Sequence, residues 1–304
     1  MLTVLLATHN GARTLPRVLD TYQHIEVQNF DWKIIVVDNA STDETPELLR
    51  AYSSRLPMLV LRTEQQGKNI ALNIGLEHIE GDLVVLTDDD AVPDADWLTS
   101  IQSASVENPE YDIFAGRIDA LWPEHTPEWI HRLVNLGATY AITPAGLHCG
   151  PIPAGQVWGP NMAIRRRVFD AGHRFNESVG PSRGQYIMGS EVEFTCRLER
   201  AGYKSWFTSS AGVGHIIREH QIQREWIIQR GYRLGRHMFH QEAPEFGDNT
   251  PMWRGAPRWK HRRLLNARLM KLRAAMTGNT DQAFKADWEI SFLKGYLFEA
   301  NQAR

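Results

Sequence analysis

Short apolar runs alternate with segments of helical period through the first 120 residues, and few architectures accept that order. Leu2–Ala7, Lys33–Val37, Met58–Leu61 and Leu83–Leu86 are too short for helices, and three of them are rich in β-branched residues. They read as buried parallel strands. The intervening segments carry helix-start signals. Ser41 with Glu44 has capping-box spacing, and Thr45-Pro46 offers a second start. From Gly67 to Ile79, Ile70, Leu72, Ile74, Leu76 and Ile79 fall mostly on one helical side. The expectation is an α/β fold, a mostly parallel sheet flanked by helices, with ligands bound at the carboxyl ends of its strands.

The pattern breaks between Leu121 and Pro160, where six prolines predict irregular structure with a helix near Glu128–Leu136. Beyond His215 it becomes helical, through Gln223–His240, Pro257–Met276 and Ala283–Phe298. A boundary is expected near residue 222, with 1–222 carrying the sheet and 223–304 forming a helical extension. A net charge of −3 gives no reason to expect nucleic acid as a partner. Charge is unevenly spread, however: no Asp or Glu lies between Asn249 and Thr280, where eight Lys and Arg residues fall. With only Cys149 and Cys196, no secretory leader pattern and no apolar run of about 20 residues, a reduced cytoplasmic setting is expected.

Three motifs carry chemistry. Asp88-Asp89-Asp90 follows the strand Leu83–Leu86, and three adjacent carboxylates repel unless a cation or hydrogen-bond donors stand nearby. The sequence offers no evident neighbour to compensate them. A hard cation such as Mg²⁺ binds one or two carboxylates together with phosphate oxygens, which suits a nucleotide diphosphate. The bland reading is an acidic turn leading to a helix capped near Asp94. The second motif is Asp38, after the second strand, suited to accept the N–H of a pyrimidine base, with Thr8, His9 and Asn10 on the same crevice edge. Ser41, Thr42 and Asp43 are equally well read as caps. Gly67-Lys68 opens a helix whose N–H groups and lysine can meet phosphate. Third, Ser190 and Glu193 have capping-box spacing, which leaves Glu191 in the first turn as a general-base candidate or an ordinary dipole-favoured carboxylate.

The ordered set Thr8-His9-Asn10, Val37–Asp43, Gly67–Leu76 and Asp88-Asp89-Asp90 resembles family 2 glycosyltransferases of the GT-A fold. Gly159–Arg166 resembles that family's acceptor-side segment, and Gly189–Phe194 its catalytic Gly-Glu-Asp-type motif. The resemblance spans roughly residues 1–240 and lies in the order of six motifs. It implies a GT-A nucleotide-sugar-binding and catalytic domain over 1–222. Thr8, His9, Asn10, Asp38, Lys68, Asp88 and Asp89 would hold the donor, and Asn161 and Trp158 would lie on the acceptor side. Asp90, Asp88 and His215 would ligate a divalent metal, Mn²⁺ or Mg²⁺, although a histidine at a strand end is equally well a hydrogen-bonded structural residue. Glu191 stands where the family has its catalytic Asp, one methylene longer. Arg230, Arg233 and Arg236 lie in a stretch resembling one near the donor phosphates, or are solvated charge.

The implied reaction moves a sugar, UDP-linked by resemblance, onto an acceptor hydroxyl of a glycan or lipid-linked intermediate, with inversion. Two rivals are a sugar nucleotidyltransferase, which should show a Gly-rich basic loop after the first strand, and a non-catalytic glycan- or nucleotide-sugar-binding protein. Segment 254–276 has two readings, a helix packed with its basic face in water or a peripheral contact with the inner face of a membrane.

Overall fold

The computed structural model describes residues 1–27, 29–180, 187–247 and 249–303. They form two compact units, one drawn from residues 1–121, 140–180 and 190–216, the other from 122–139, 187–189 and 217–303. In chain order the elements are β1 (Leu2–Thr8), α1 (Leu15–Tyr22), β2 (Trp32–Asn39), α2 (Thr45–Tyr52), β3 (Met58–Thr63) and α3 (Lys68–Leu76). Next come β4 (Leu83–Leu86), β5 (Ala91–Pro93), α4 (Trp97–Glu107), β6 (Ile113–Leu121), α5 (Glu128–Leu133) and α6 (Leu136–Tyr140). They are followed by β7 (Gly150–Pro151), β8 (Met162–Arg165), α7 (Arg166–Asp170), α8 (Ser190–Arg200) and β9 (Ser205–Ile216). Last are α9 (Arg224–Glu242), β10 (Met252–Trp253), β11 (Ala256–Pro257), α10 (Arg258–Thr277) and α11 (Thr280–Gln302).

The first unit is the expected α/β sheet. Its order is β3-β2-β1-β4-β8-β6-β9-β5, with β7 also on β9. The run from β3 to β4 is parallel, and β8 enters antiparallel between β4 and β6. Alternation along the central strands feeds two cores. Leu2, Val4 and Leu6 pack with Val18, Leu19, Leu98 and Ile101, while Leu5, Ile35 and Val37 pack with Ala71, Leu72 and Leu76 on the other face. Met58–Leu61 was expected to be buried; β3 is instead the sheet edge, so Met58, Val60 and Leu61 are only partly buried and Leu59 is exposed. Of the two starts read for the second helix, the chain takes the one at Thr45-Pro46, because Ser41 is turned to Asn10 and Asp38 instead of capping. Asp94 pairs with Arg117, and α4 starts at Trp97.

One irregularity shapes the sheet. The β6–β9 register shifts between Gly116, paired with Thr208, and Arg117, paired with Gly212. The bulge strands two carbonyls, those of Arg117 and Ala211. The Asn161 side-chain amide donates to both at 2.9 Å, and its oxygen accepts from the Trp97 indole, also at 2.9 Å.

In the second unit α9 and α11 meet at a reciprocal pair of glycines. A Cβ on Gly235 would strike the Phe292 carbonyl, and one on Gly295 would strike that of Tyr232. The buried Arg236 guanidinium pairs with Glu299. Lys260 is fully buried yet compensated, with Glu242 at 2.8 Å and the Tyr296 ring centroid at 3.9 Å. Among the described residues no helix is long and apolar enough to cross a membrane.

Candidate active site

Parallel pairing brings the motif residues level at one edge of the sheet, with Thr8 opposite Asp38 and Leu5 opposite Leu86. The carboxyl ends of β1, β2 and β4 therefore deliver Thr8–Asn10, Asp38 and Asp88–Asp90 to one crevice. The chain turns there with two non-glycine residues in the left-handed region, Asn10 at φ 54° and Ala40 at φ 57°. Such positions cost of order 1–3 kcal/mol and persist where their surroundings hold them. The Asn10 amide N–H donates to Ser41 Oγ at 2.9 Å, and Asn10 Oδ1 accepts from the Thr42 amide at 2.8 Å. His9 Nδ1 lies 2.7 Å from the Asn39 carbonyl and so donates to it.

Asp38 is almost wholly buried, and both its oxygens have partners inside the protein. Oδ1 accepts from the Ser41 amide at 3.0 Å, and Oδ2 from Arg62 Nη1 at 2.5 Å. Arg62 is absent from the sequence reading; its place on β3, in register with Asp38, is the signal that would have found it.

The Asp triplet is not short of partners, contrary to expectation. The Thr8 hydroxyl donates to Asp89 Oδ2 at 2.5 Å, and a Cβ on Gly11 would lie 2.7 Å from that same oxygen. Lys68 Nζ lies 2.5 Å from Asp88 Oδ1 and 2.5 Å from Glu191 Oε1. The lysine was expected to face phosphate; here one ammonium bridges two carboxylates that are 103 residues apart in the chain (191 − 88). Burial alone would lower the Lys68 pKa, but Asp88 and Glu191 outweigh it and raise the group well above its ordinary value. Burial pushes Glu191 up; Lys68 overcomes it and brings the carboxyl down to about 2. Asp88 goes the other way, since burial together with Glu191 and Asp90 outweighs the pull of Lys68.

Asp90 and His215 meet through the antiparallel β5–β9 ladder, in which Ala91 faces His215 and the Ile216 amide donates to the Asp90 carbonyl at 2.8 Å. A carbonyl only accepts, so the contact at 2.7 Å to the Tyr140 carbonyl puts a proton on His215 Nδ1 and turns Nε2 to Asp90 Oδ1, 3.4 Å away. Burial opposes charge on the ring, and Asp90 outweighs it, so the imidazole pKa is raised. Among the described residues no group of three His, Cys, Asp or Glu side chains stands assembled around a metal position. The donor chemistry nevertheless fits a divalent cation. A carboxylate and an imidazole nitrogen face each other, and the far ring nitrogen is anchored to a carbonyl, as metal-ligating histidines commonly are.

On the side expected for the acceptor, Glu191 is held by Lys68 and by the Ser190 hydroxyl, which donates to Oε2 at 2.8 Å. Glu193, expected to close a capping box with Ser190, is bridged by Arg197 one turn on, at 3.0 Å. Gly159, named above only as the start of the acceptor-side segment, lies against the catalytic candidate. A Cβ there would stand 2.8 Å from Glu191 Cδ and Oε1. The preceding residue, Trp158, is half-buried against the core. Asn161 has no exposed surface and spends its amide on the bulge, so direct contact with an acceptor is closed to it. Arg236, read as phosphate-facing or solvated, is neither: it is buried on Glu299. Arg230 Nε lies 3.3 Å from the Thr139 carbonyl, with its guanidinium over the Trp226 ring.

A sequence model described as Glycosyl transferase family 2 matches residues 3–172. The chain is similar to the glycosyltransferase AglE of Haloferax volcanii, 26% identical over 238 residues that cover 77% of this chain and 71% of the relative. It is also similar to the same organism's glucosyl-dolichyl phosphate glucuronosyltransferase, 23% identical with 74% and 70% covered. Among solved structures, the mannosyltransferase PcManGT of Pyrobaculum calidifontis, in complex with GDP-Man and Mn²⁺, superposes with TM-score 0.64 at 18% identity, covering all of this chain and 88% of that one. TarS 1–349 of S. aureus, in complex with UDP, gives 0.55 at 14%, with 100% and 92% covered. The fold is GT-A.

Proposed function

The chain belongs to glycosyl transferase family 2, and from that footing we propose that it moves a sugar from a nucleotide diphosphate donor, UDP-linked, to a hydroxyl of a glycan or lipid-linked acceptor, with inversion and with a divalent cation. The observation that carries the reading is the Lys68 bridge. A diphosphate entering beside Asp88 competes for that ammonium, and Glu191 gains freedom as Lys68 turns to phosphate. Thr8, His9, Asn10 and Asp38 line the nucleotide, Asp88 meets the ribose, and Asp89 is held in place by Thr8. Trp158 flanks the acceptor.

Glu191 then takes the acceptor proton while the acceptor oxygen bonds to the anomeric carbon and the bond from that carbon to the phosphate oxygen breaks. The bonding electrons leave on the diphosphate, and a single displacement inverts the centre. A positioned base of this kind contributes about 10²–10⁴-fold. Asp90 and His215 are the residues that would hold Mn²⁺ or Mg²⁺. When bound, such a cation neutralises charge on the departing diphosphate. Relatives whose names give a dolichyl-phosphate acceptor, and a fold neighbour bound to UDP, support the donor and acceptor classes.

The test is nucleotide release from a panel of UDP- and GDP-sugars, with Mn²⁺ and with chelator, and with the product anomer read by NMR. Release of nucleoside diphosphate that chelator stops and Mn²⁺ restores is expected, with product of inverted configuration. Undiminished turnover in chelator removes the cation, a retained anomer removes the single displacement, and formation of nucleoside triphosphate and sugar 1-phosphate from a nucleotide sugar and added pyrophosphate makes the chain a nucleotidyltransferase.

A further inference from the structure

Helix α10 presents two unlike faces. Lys260, Ala267 and Ala274 are buried on one side, and ion pairs from Arg263 to Glu289 and from Lys271 to Asp287 tie the helix to α11. At 3.6 residues per turn, Leu265, Leu269, Leu272 and Met276 stack along the opposite side. Each is more than half exposed, from 51% to 79%. A helix gains nothing from four such side chains in water, and covering their exposed area with an apolar phase is favourable.

The charge around this ridge shows what can cover it. Arg258, Arg262, Arg268 and Arg273 are exposed beside it, and among the described residues no carboxylate pairs with them. The ridge spacing of four, three and four residues would also suit a coiled coil with a second copy. That partner would bring its own arginines against these, and no Asp or Glu lies between Asn249 and Thr280 to answer them. A nucleic acid would satisfy the arginines and leave the leucines in water. An anionic lipid surface satisfies both. The hairpin of β10 and β11 extends the patch, since the exposed Trp253 packs its ring on His261 at 4.4 Å, and tryptophan favours the headgroup level of a bilayer.

We propose that α10 and the Trp253 hairpin dock this chain on an anionic membrane surface, with the leucine ridge entering the acyl boundary and the flanking arginines meeting phosphate headgroups. The inference rests on the second unit alone and needs no assumption about the reaction. The full chain should co-sediment with vesicles of mixed phosphatidylcholine and phosphatidylglycerol, not with phosphatidylcholine alone, and binding should fall steeply with salt. At about 5-fold per arginine, R262Q/R268Q should weaken it roughly 30-fold. L269S/L272S should weaken it by at least ~10-fold, with an unchanged melting temperature because both side chains are already exposed. Absence of vesicle binding at low salt overturns the proposal. So does concentration-dependent self-association that L269S/L272S abolishes while vesicles are ignored, which would make the ridge a contact between copies. Retention on double-stranded nucleic acid without vesicle binding would overturn it as well.

Discussion

A carboxylate brought down to about 2 by a lysine 2.5 Å away is ionised at any working pH but binds a proton weakly. General bases work best with a pKa near the operating pH. Under the proposed reaction, Lys68 would restrain Glu191 until a donor diphosphate claimed the ammonium. E191Q should lose roughly 10²-fold or more in kcat with little change in donor KM. K68M tests the restraint itself. Without the ammonium, burial is left to push Glu191 upward, so the acid limb of the kcat/KM profile should move to higher pH while donor affinity falls. An acid limb unmoved in K68M would mean that the pair is not what sets the base. Gly159 acts through the same carboxylate. G159A puts a methyl 2.8 Å from Glu191 Cδ, so kcat should fall by about 10-fold or more through misplacement, with a loss of melting temperature no larger than that of E191Q. A normal kcat in G159A would show that Glu191 tolerates displacement.

Among the elements, the β6–β9 bulge shows how one side chain maintains a sheet defect. Asn161 supplies two donors and one acceptor from a site with no exposed surface. N161A would strand two carbonyls and an indole N–H, and each orphaned buried group costs about 1–3 kcal/mol. The urea midpoint should drop by an amount equivalent to several kcal/mol with an unchanged m-value. Activity at low temperature should be lost, if at all, in step with the folded fraction. A selective rise in acceptor KM, with full stability, would return Asn161 to the acceptor side.

For the molecule as a whole, the buried ion pair links the site to acid stability. The folded-state pKa of Glu191 is about 2, below its ordinary 4.5, so its contribution is present above pH 4.5 and lost as pH falls through 2. Asp88 is raised and works in the opposite sense, which blunts the effect. Between pH 4.5 and 2 the unfolding free energy of the wild type should decline with a component absent from E191Q, on the order of a few kcal/mol, and the melting temperature should fall with it. Parallel declines in the two proteins would mean that the Lys68–Glu191 pair contributes nothing net to folding.

Much of the architecture was legible because it is local. Apolar runs of strand length, helix-period segments and the Pro46 start depend on neighbours a few residues away, and β1, β2, β4 and the three long C-terminal helices follow from them. The candidate residues were visible as motifs at strand ends and helix starts. Their partners were not, since Arg62 reaches Asp38 across a strand pair, Gly159 reaches Glu191 from another element, and Tyr140 orients His215 from 75 residues away. The capping-box expectations at Ser41 and Ser190 failed for the same reason: hydroxyls free to cap their own helices found long-range or charged neighbours instead. The sequence by itself determined which residues could hold charge, start helices or line strands, because those properties belong to side chains and short periods. Only the tertiary structure decided that one lysine bridges two distant carboxylates and that a buried asparagine closes a bulge. Burial removes water as the competing partner, and which groups must then satisfy one another is set by the packing of elements far apart in the chain.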